Sequence, residues 1–112
     1  MKLIPQTFSK NGYQYELECR AEYACVYRQI HSTGRLVGYE VMIIRICQGF
    51  SIQGRICPDH ERLPNNEEWG AYGWTFTGLQ AHTVALALFD RLKESHALVP
   101  PPEPGSSKSS KT

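Results

Sequence analysis

The residues of this chain that could bind a metal or act as nucleophile and base are its cysteines and histidines, four of each. Cys57 and His60 lie three positions apart in CPDH and could supply two zinc ligands, but Cys47 and His31 would have to come from elsewhere. As a nucleophile and base, the same pair has no third group to orient it. We therefore expect no metal, no cofactor and no enzyme activity, and we interpret the cysteines as small buried hydrophobic residues.

Three glycines, Gly70, Gly73 and Gly78, lie shortly before the last helical pattern of the chain. They lack both the Gly-Lys-Ser/Thr sequence and the G-x-G-x-x-G spacing of phosphate-binding loops. An anion site at the helix N-terminus near Thr77 stays open as a weaker alternative.

The composition limits the function classes. The chain has 112 residues, with 12 Lys and Arg against 11 Asp and Glu. This length predicts one domain, placed at residues 1–98, and the Pro, Ser and Lys of residues 99–112 predict a disordered tail. The balanced charge argues against direct nucleic-acid binding. No apolar run suits a signal peptide or a membrane span, so we expect a cytoplasmic protein with no membrane partner.

Alternating apolar and polar residues predict strands. The alternation is clearest in YQYELEC, residues 13–19, and similar runs cover residues 23–30, 36–47 and 50–57. Turns at Ala21-Glu22, Thr33-Gly34 and Gln48-Gly49 would join them as hairpins. The sequence thus predicts an antiparallel β-meander of about four strands.

Hairpin pairing places opposed residues on one face of the sheet, which assigns the two faces. The face expected to form the core contains Tyr13, Tyr15, Leu17, Cys19, Ala24, Val26, Arg28, Ile30, Val37, Tyr39, Val41, Ile43, Arg45, Ile52 and Ile56. The opposite face is mixed in polarity. Met42 and Ile44 would be exposed there unless the loop at residues 57–73, a partner or a second subunit covers them.

A single helix is expected to cover the apolar face. In LQAHTVALALFDRLKESH, Leu79, Leu86, Phe89 and Leu92 recur at helical spacing. We expect Thr77 to cap this helix in a capping box. The predicted fold class is therefore α+β, an antiparallel β-meander of about four strands packed against one C-terminal α-helix.

The segment PNNEEWG predicts one helical turn that joins the sheet to the helix. Asn65 or Asn66 would cap the turn, and Gly70 would end it. Trp69 is expected to close one end of the core while it stays partly exposed.

The mixed face is the candidate contact surface, because Tyr, Met and Arg are enriched in interfaces and carboxylates can pair with a basic partner. The predicted partner-binding residues are Glu16, Glu18, Tyr27, Glu40, Met42, Arg55 and Trp69. Alternatively, two copies of the chain could form a homodimer through Met42 and Ile44 of this face.

The chain resembles a group of small uncharacterised proteins of tailed phages and prophages. The matching positions are a Gly-Tyr-Glu-Val strand, residues 38–41, and a Pro-x-x-Glu-x-Trp-Gly joint, residues 64–70, followed by Trp74 and Phe76. The resemblance implies a phage accessory protein of the bacterial cytoplasm that binds a host protein or complex, including an inhibitor of a defence system such as CRISPR. Alternatives are an oligomer that sequesters a small anionic or nucleotide ligand, and a binder of single-stranded nucleic acid.

Overall fold

The computed structural model describes residues 1–95, and within them the chain forms nine strands and one α-helix. In chain order these are β1 (Thr7–Lys10), β2 (Tyr13–Arg20), β3 (Ala24–Ile30), β4 (Leu36–Ile43), β5 (Arg45–Cys47), β6 (Phe50–Ile52), β7 (Arg55–Cys57), β8 (His60–Arg62), β9 (Gly73–Thr77) and α1 (Ala81–Ser95). Five strands form one antiparallel sheet in the order β1-β2-β3-β4-β9, with α1 packed against it. This confirms the predicted α+β class. The predicted domain end at residue 98 and the predicted tail at 99–112 lie outside the described residues.

Two of the three predicted turns are confirmed. The chain reverses between β2 and β3 at residues 21–23, and between β3 and β4 at residues 31–35. In the second turn Gly34 has a φ of 94°, and its N–H donates to the His31 carbonyl at 2.8 Å. A glycine adopts this left-handed conformation without steric cost.

The third predicted turn, Gln48-Gly49, is wrong. The reversal occurs at Gln53-Gly54, where both residues have positive φ, 51° and 80°, between the cross-strand partners Ile52 and Arg55. Positive φ at both loop residues is typical of a type I′ hairpin turn. Residues 50–57 therefore form the β6–β7 hairpin outside the sheet, and β9 takes the predicted position of a fourth strand beside β4.

The register of β2 changes between Leu17 and Cys19, so one residue is extra at this point of the strand. Leu17 pairs with Tyr27, whereas Cys19 pairs with Val26. Because side chains alternate along a strand, this bulge moves the first half of β2 to the opposite face from the one predicted. Tyr13, Tyr15 and Leu17 consequently lie away from the helix.

The helix side of the sheet carries one hydrophobic core. Ala24, Val26 and Val41 are fully buried there against Ala85 and Phe89 of α1. Leu86 and Leu92 pack at its margin, as predicted. Leu79 lies before the helix and is wholly exposed, and Thr77 belongs to β9, four residues before α1 begins. The predictions of Leu79 as a core residue and Thr77 as the helix cap are therefore wrong.

A second core lies on the other side of the sheet. Its buried members are Ile4, Tyr15, Cys25, Tyr27, Met42 and Ile44. The N-terminal segment, Leu63 and Trp69 cover them, and the Tyr27 hydroxyl donates to the Pro5 carbonyl at 2.6 Å. The chain itself therefore covers this face. Leu63 and Trp69 belong to the loop at residues 57–73, which was one of the predicted covers.

The helical turn predicted within the joint, residues 64–70, is confirmed, and it lies between β8 and β9 and not directly before the helix. Asn66–Glu68 is one turn of 3-10 helix, and the Asn65 side chain accepts a hydrogen bond from the Glu67 N–H at 2.9 Å. The Glu68 carboxylate in return accepts from the Asn65 N–H at 2.9 Å, which completes a capping box. Gly70, with a φ of 92°, follows the turn. Trp69 is half-buried and packs against the second core.

Candidate contact surface and pocket

The β5–β8 and β6–β7 pairs together form a two-stranded ribbon, residues 45–62, which we call the hairpin arm. Its outer part, residues 50–57, is the hairpin tip. Phe50 and Ile52 are each 56% exposed and Ile56 is 81% exposed. Ile52 and Ile56 were predicted in the core, so this part of the prediction is wrong. Phe50 and Ile52 lie on one face of the ribbon, and Ile56, the partner of Ser51, lies on the other, so the tip exposes apolar side chains on both faces. Exposed apolar side chains of this size are typical of contact sites.

Two ion-pair clusters hold the base of the hairpin arm to the sheet. Arg20 of β2 donates to both carboxylate oxygens of Glu61 at 2.7 and 2.8 Å, and the Ile4 N–H donates to the same carboxylate at 3.0 Å. The hydrogen bond from Arg20 is the main reason that the pKa of Glu61 is lowered. In the second cluster, Glu68 of the joint binds Arg45 and Arg62, one from each strand of the arm.

Glu68 stays ionised even though it is partly buried. Burial by itself raises the pKa of this carboxyl group, but the hydrogen bonds from Arg45, from the Asn65 backbone and from Arg62 together lower it to about 2. The Arg45 guanidinium also stacks on the Tyr72 ring, 4.1 Å from its centroid. The pair between Arg20 and Glu61 connects the base of the arm to β2, and Glu68 connects it to the joint. The base of the arm is therefore fixed relative to the sheet.

A pocket of about 230 Å³ opens on the side of the sheet away from the helix. Its walls include Tyr13, Tyr15, Glu40 and Trp69, with Lys10 and Asn66 also in contact with the space. The bulge in β2 creates this site, because it turns Tyr13 and Tyr15 toward the side that carries Glu40. We call it the aromatic pocket.

Hydrogen bonds connect two walls of the aromatic pocket. The Trp69 Nε1–H donates to Thr75 Oγ1 at 2.9 Å, and Thr75 Oγ1 donates to Glu40 Oε2 at 3.3 Å. The Trp69 ring lies over Gly73, where a Cβ atom would come within 2.5 Å of the ring. Any side chain at position 73 would therefore displace Trp69.

Two groups of the pocket, Glu40 and Tyr15, have pKa values that are raised toward their neutral forms. Burial is the main cause that raises the pKa of Glu40, although the Thr75 hydrogen bond and the charge of Lys10 oppose it. Burial also raises the pKa of Tyr15, and the charge of Glu40 adds to this effect. Gln29 Nε2 donates to the Tyr15 hydroxyl oxygen at 3.1 Å.

The predicted partner-binding residues do not form one exposed face. They divide among the helix side of the sheet (Glu16 and Glu18), the second core (Tyr27 and Met42), the aromatic pocket (Glu40 and Trp69) and the hairpin tip (Arg55). The prediction that these residues share one face is therefore wrong, because the bulge in β2 places Glu16 and Tyr27 on opposite sides of the sheet. The structure does bring Glu40 and Trp69 together.

Tyr27 is fully buried and Met42 is 2% exposed, so neither side chain offers a contact surface. Ile44 is 1% exposed, and the predicted homodimer surface through Met42 and Ile44 is thus buried within one chain. Sequence reasoning had named the loop at residues 57–73 as one cover for them, but it did not foresee the contribution of Ile4 from the N-terminal segment.

The helix side of the sheet also carries a polar cluster at its surface. His82 Nε2 lies 2.5 Å from Glu18 Oε2, and the His82 ring stacks on Tyr39 with centroids 4.7 Å apart. Glu16 pairs with Arg28 at 2.6 Å. These predicted acidic contact residues therefore already have partners within the chain.

The cysteines and histidines that the structure describes show no assembled site. All four cysteines are free thiols; Cys25 is buried and the other three are half-buried. The Cys57 thiol and the His60 ring both approach the Pro58 carbonyl oxygen. Within residues 1–95 no group of three or more His, Cys, Asp and Glu is placed to hold a metal ion.

Comparisons with family models, with curated proteins and with solved structures give no match to this chain. The resemblance to small phage proteins therefore stays a prediction from the sequence. Among the described residues, no helix has the length and apolar character needed to cross a membrane.

Proposed function

We propose that this chain acts by stoichiometric binding to another protein, and that the hairpin tip is the principal contact surface. The observation that supports this proposal is the exposure of Phe50, Ile52 and Ile56 on a ribbon whose base is fixed by ion pairs. A fixed apolar projection loses little conformational entropy when it enters a cleft, which favours affinity. Such anchors commonly supply most of the binding energy of an interface.

The chemistry of the hairpin tip supports a particular kind of partner surface. Arg55 is the direct cross-strand partner of Ile52, so both lie on one face of the ribbon together with Phe50. Residues 50–57 contain no aspartate or glutamate. The complementary surface is an apolar cleft with a carboxylate near its rim. The resemblance to phage proteins makes a bacterial host protein, such as a defence complex, the expected partner.

A nucleic-acid partner is a weaker alternative for the same surface. Affinity for nucleic acid comes largely from several Lys or Arg side chains that neutralise phosphates, and the hairpin tip has one arginine. Its three large apolar side chains would gain little from a phosphate backbone. The composition of the tip therefore favours a protein.

The proposal is tested with a variant that removes the apolar side chains but keeps strand-forming residues: Phe50→Thr, Ile52→Thr and Ile56→Thr together. A partner is first captured from a bacterial lysate with the tagged chain, then identified and purified. The dissociation constant of the pure pair is then measured by calorimetry. We expect the triple variant to bind at least about tenfold more weakly, as for the loss of central interface anchors.

The matched control is Leu79→Thr, because Leu79 is equally apolar and wholly exposed but lies outside the arm. It should bind like the unchanged chain, with a stoichiometry of one partner per chain. Equal affinity of the triple variant and the control would overturn the proposal. Binding of the unchanged chain to anionic phospholipid vesicles or to a random oligonucleotide, lost in the triple variant, would assign the tip to those ligands instead.

A further inference from the structure

We infer that the aromatic pocket is a binding site for an organic ammonium group, carried by a small amine or by an alkylated side chain of another molecule. Its acidic wall and its aromatic walls are independent features that both favour a cation. This inference goes beyond protein binding through the hairpin tip, because it concerns a different surface and a different class of ligand.

The aromatic walls are held in place before any ligand arrives. Tyr15 stacks on Phe8 with ring centroids 4.8 Å apart, and Tyr13 makes an edge contact with His31 at 6.1 Å. Trp69 is held by its bond to Thr75. The faces of such rings carry negative partial charge and attract ammonium ions, most strongly where water is excluded. Fixed rings reduce the entropy that binding must overcome.

The Glu40 carboxylate has fewer partners than a charged group needs in this position. Among the described residues its hydrogen bond comes from the Thr75 hydroxyl at 3.3 Å, which is long for a bond to a charged oxygen, and none of the described ion pairs includes Glu40. Because burial disfavours its charged form, a cation in the pocket would stabilise that form. The ligand and the ionised carboxylate should therefore bind cooperatively.

Lys10 lies at the pocket and supplies a further test, because its positive charge opposes a cationic ligand. Its ammonium group donates to Asn66 Oδ1 at 3.0 Å at the pocket, so an amine of the chain itself already occupies one side of this space. This ammonium forms no ion pair with Glu40 among the described contacts, which leaves the carboxylate to a second cation. Lys10 should repel that cation weakly, and its removal should tighten binding.

The pocket volume limits the ligand to a headgroup. A cavity of about 230 Å³ lies below the roughly 300–1,000 Å³ typical of sites for drug-sized ligands and cofactors. Choline is a suitable probe, because its trimethylammonium group is compact and permanently charged. The alcohol 3,3-dimethylbutan-1-ol has the same shape without the charge and is the matched control ligand.

The experiment is a titration of the unchanged, isotope-labelled chain with choline and with 3,3-dimethylbutan-1-ol, followed by NMR at the Trp69 indole N–H. We expect saturable shifts with choline at millimolar concentration, and at least about tenfold weaker binding of the neutral alcohol. Equal binding of the two ligands would overturn the inference. So would the absence of saturable shifts with choline up to about 50 mM, far above a millimolar dissociation constant.

Variants assign the effect to the pocket. Glu40→Gln keeps the shape and removes the charge, and it should weaken choline binding about tenfold, whereas Glu16→Gln on the helix side of the sheet should leave it unchanged. Lys10→Met should tighten choline binding about twofold to threefold, because one repelling charge is removed at a partly screened distance. Equal choline binding by Glu40→Gln and Glu16→Gln, or weaker binding by Lys10→Met, would contradict the assignment. Loss of partner binding at the hairpin tip would leave these results unaffected.

Discussion

The tripeptide Arg-Ile-Cys occurs twice in this chain, at residues 45–47 and 55–57, and the two copies lie in opposite environments. Both copies form strands, β5 and β7. Arg45 is 6% exposed, pairs with Glu68 and stacks on Tyr72, whereas Arg55 is exposed. The same local sequence gives the same local structure, while the surrounding elements decide whether a side chain stabilises the fold or remains available for contact.

The difference comes from what lies beside each strand. β5 follows β4 after one residue, and Glu68 of the joint pairs with Arg45 of β5. β7 has only β6 as a neighbour within the described residues. A two-stranded ribbon covers neither of its faces, so its apolar side chains stay exposed. The hairpin arm is therefore expected to contribute to binding more than to stability.

The largest effect expected from this comparison is at two isoleucines. Ile44, directly before the arm, is 1% exposed and Ile56 is 81% exposed. Ile44→Ala should lower the free energy of unfolding by about 3 to 4 kcal/mol, because it removes buried methyl groups and leaves a cavity. Ile56→Ala should change it by less than about 0.5 kcal/mol. Urea denaturation of both variants measures the difference, and similar losses would place Ile56 in a core.

A smaller difference is expected between the two arginines. Arg45→Ala removes one of the two described ion pairs of Glu68 and the contact with Tyr72, so we expect a loss of about 2 to 3 kcal/mol. Arg55→Ala should be neutral in stability within about 0.5 kcal/mol. The same denaturation experiment applies, and a neutral Arg45→Ala would show that the joint does not hold the arm.

The two Gln-Gly dipeptides give the next comparison. A Cβ atom at Gly49 would lie 2.2 Å from the Cys57 carbonyl oxygen, whereas Gly54 has open space and a φ of 80°. Gly54→Ala should cost about 1 kcal/mol, and Gly54→Asn less, because Asn tolerates the left-handed conformation. Gly49→Ala should cost more, because backbone must move. Thermal unfolding tests this order, and a harmless Gly49→Ala would contradict the close approach.

A further effect is expected from acid, and it concerns Glu68 and Glu61 at the base of the arm. The folded-state pKa of Glu68, about 2, is lower than the ordinary value of 4.5, so its contribution to stability is present above pH 4.5 and is lost as the pH falls toward 2. Glu61 should act in the same direction. Urea midpoints measured between pH 6 and pH 3 should fall less in Glu68→Gln than in the unchanged chain. Parallel curves would exclude this linkage.

Much of the secondary structure could be predicted from local patterns. Alternation identified β2, β3 and β4, helical spacing identified α1, and the Asn-Asn-Glu-Glu sequence identified the capped turn. The strands β9 and β1 were not among the predicted strands. The four residues of β1 lie at a sheet edge and carry little periodic signal.

The candidate sites were harder to predict, because one depends on a single-residue change of register and the other on the position of a turn. The aromatic pocket exists because of the bulge after Leu17, and parity without the bulge placed Tyr15 under the helix. The hairpin tip exists because the chain reverses at Gln53-Gly54, five residues after the Gln-Gly pair chosen as the turn. The second Gln-Gly pair was a signal that could have identified the hairpin.

The sequence by itself determined the α+β class, the first two turns and the position of the C-terminal helix, because these depend on periodicity and on residues with special backbone preferences. The tertiary structure decided which apolar side chains became core and which remained exposed. The alternating pattern predicted both Val26 and Ile52 as core residues. Val26 is fully buried under α1, whereas Ile52 is 56% exposed. Burial requires a covering element, and for these residues long-range packing supplied or withheld that cover.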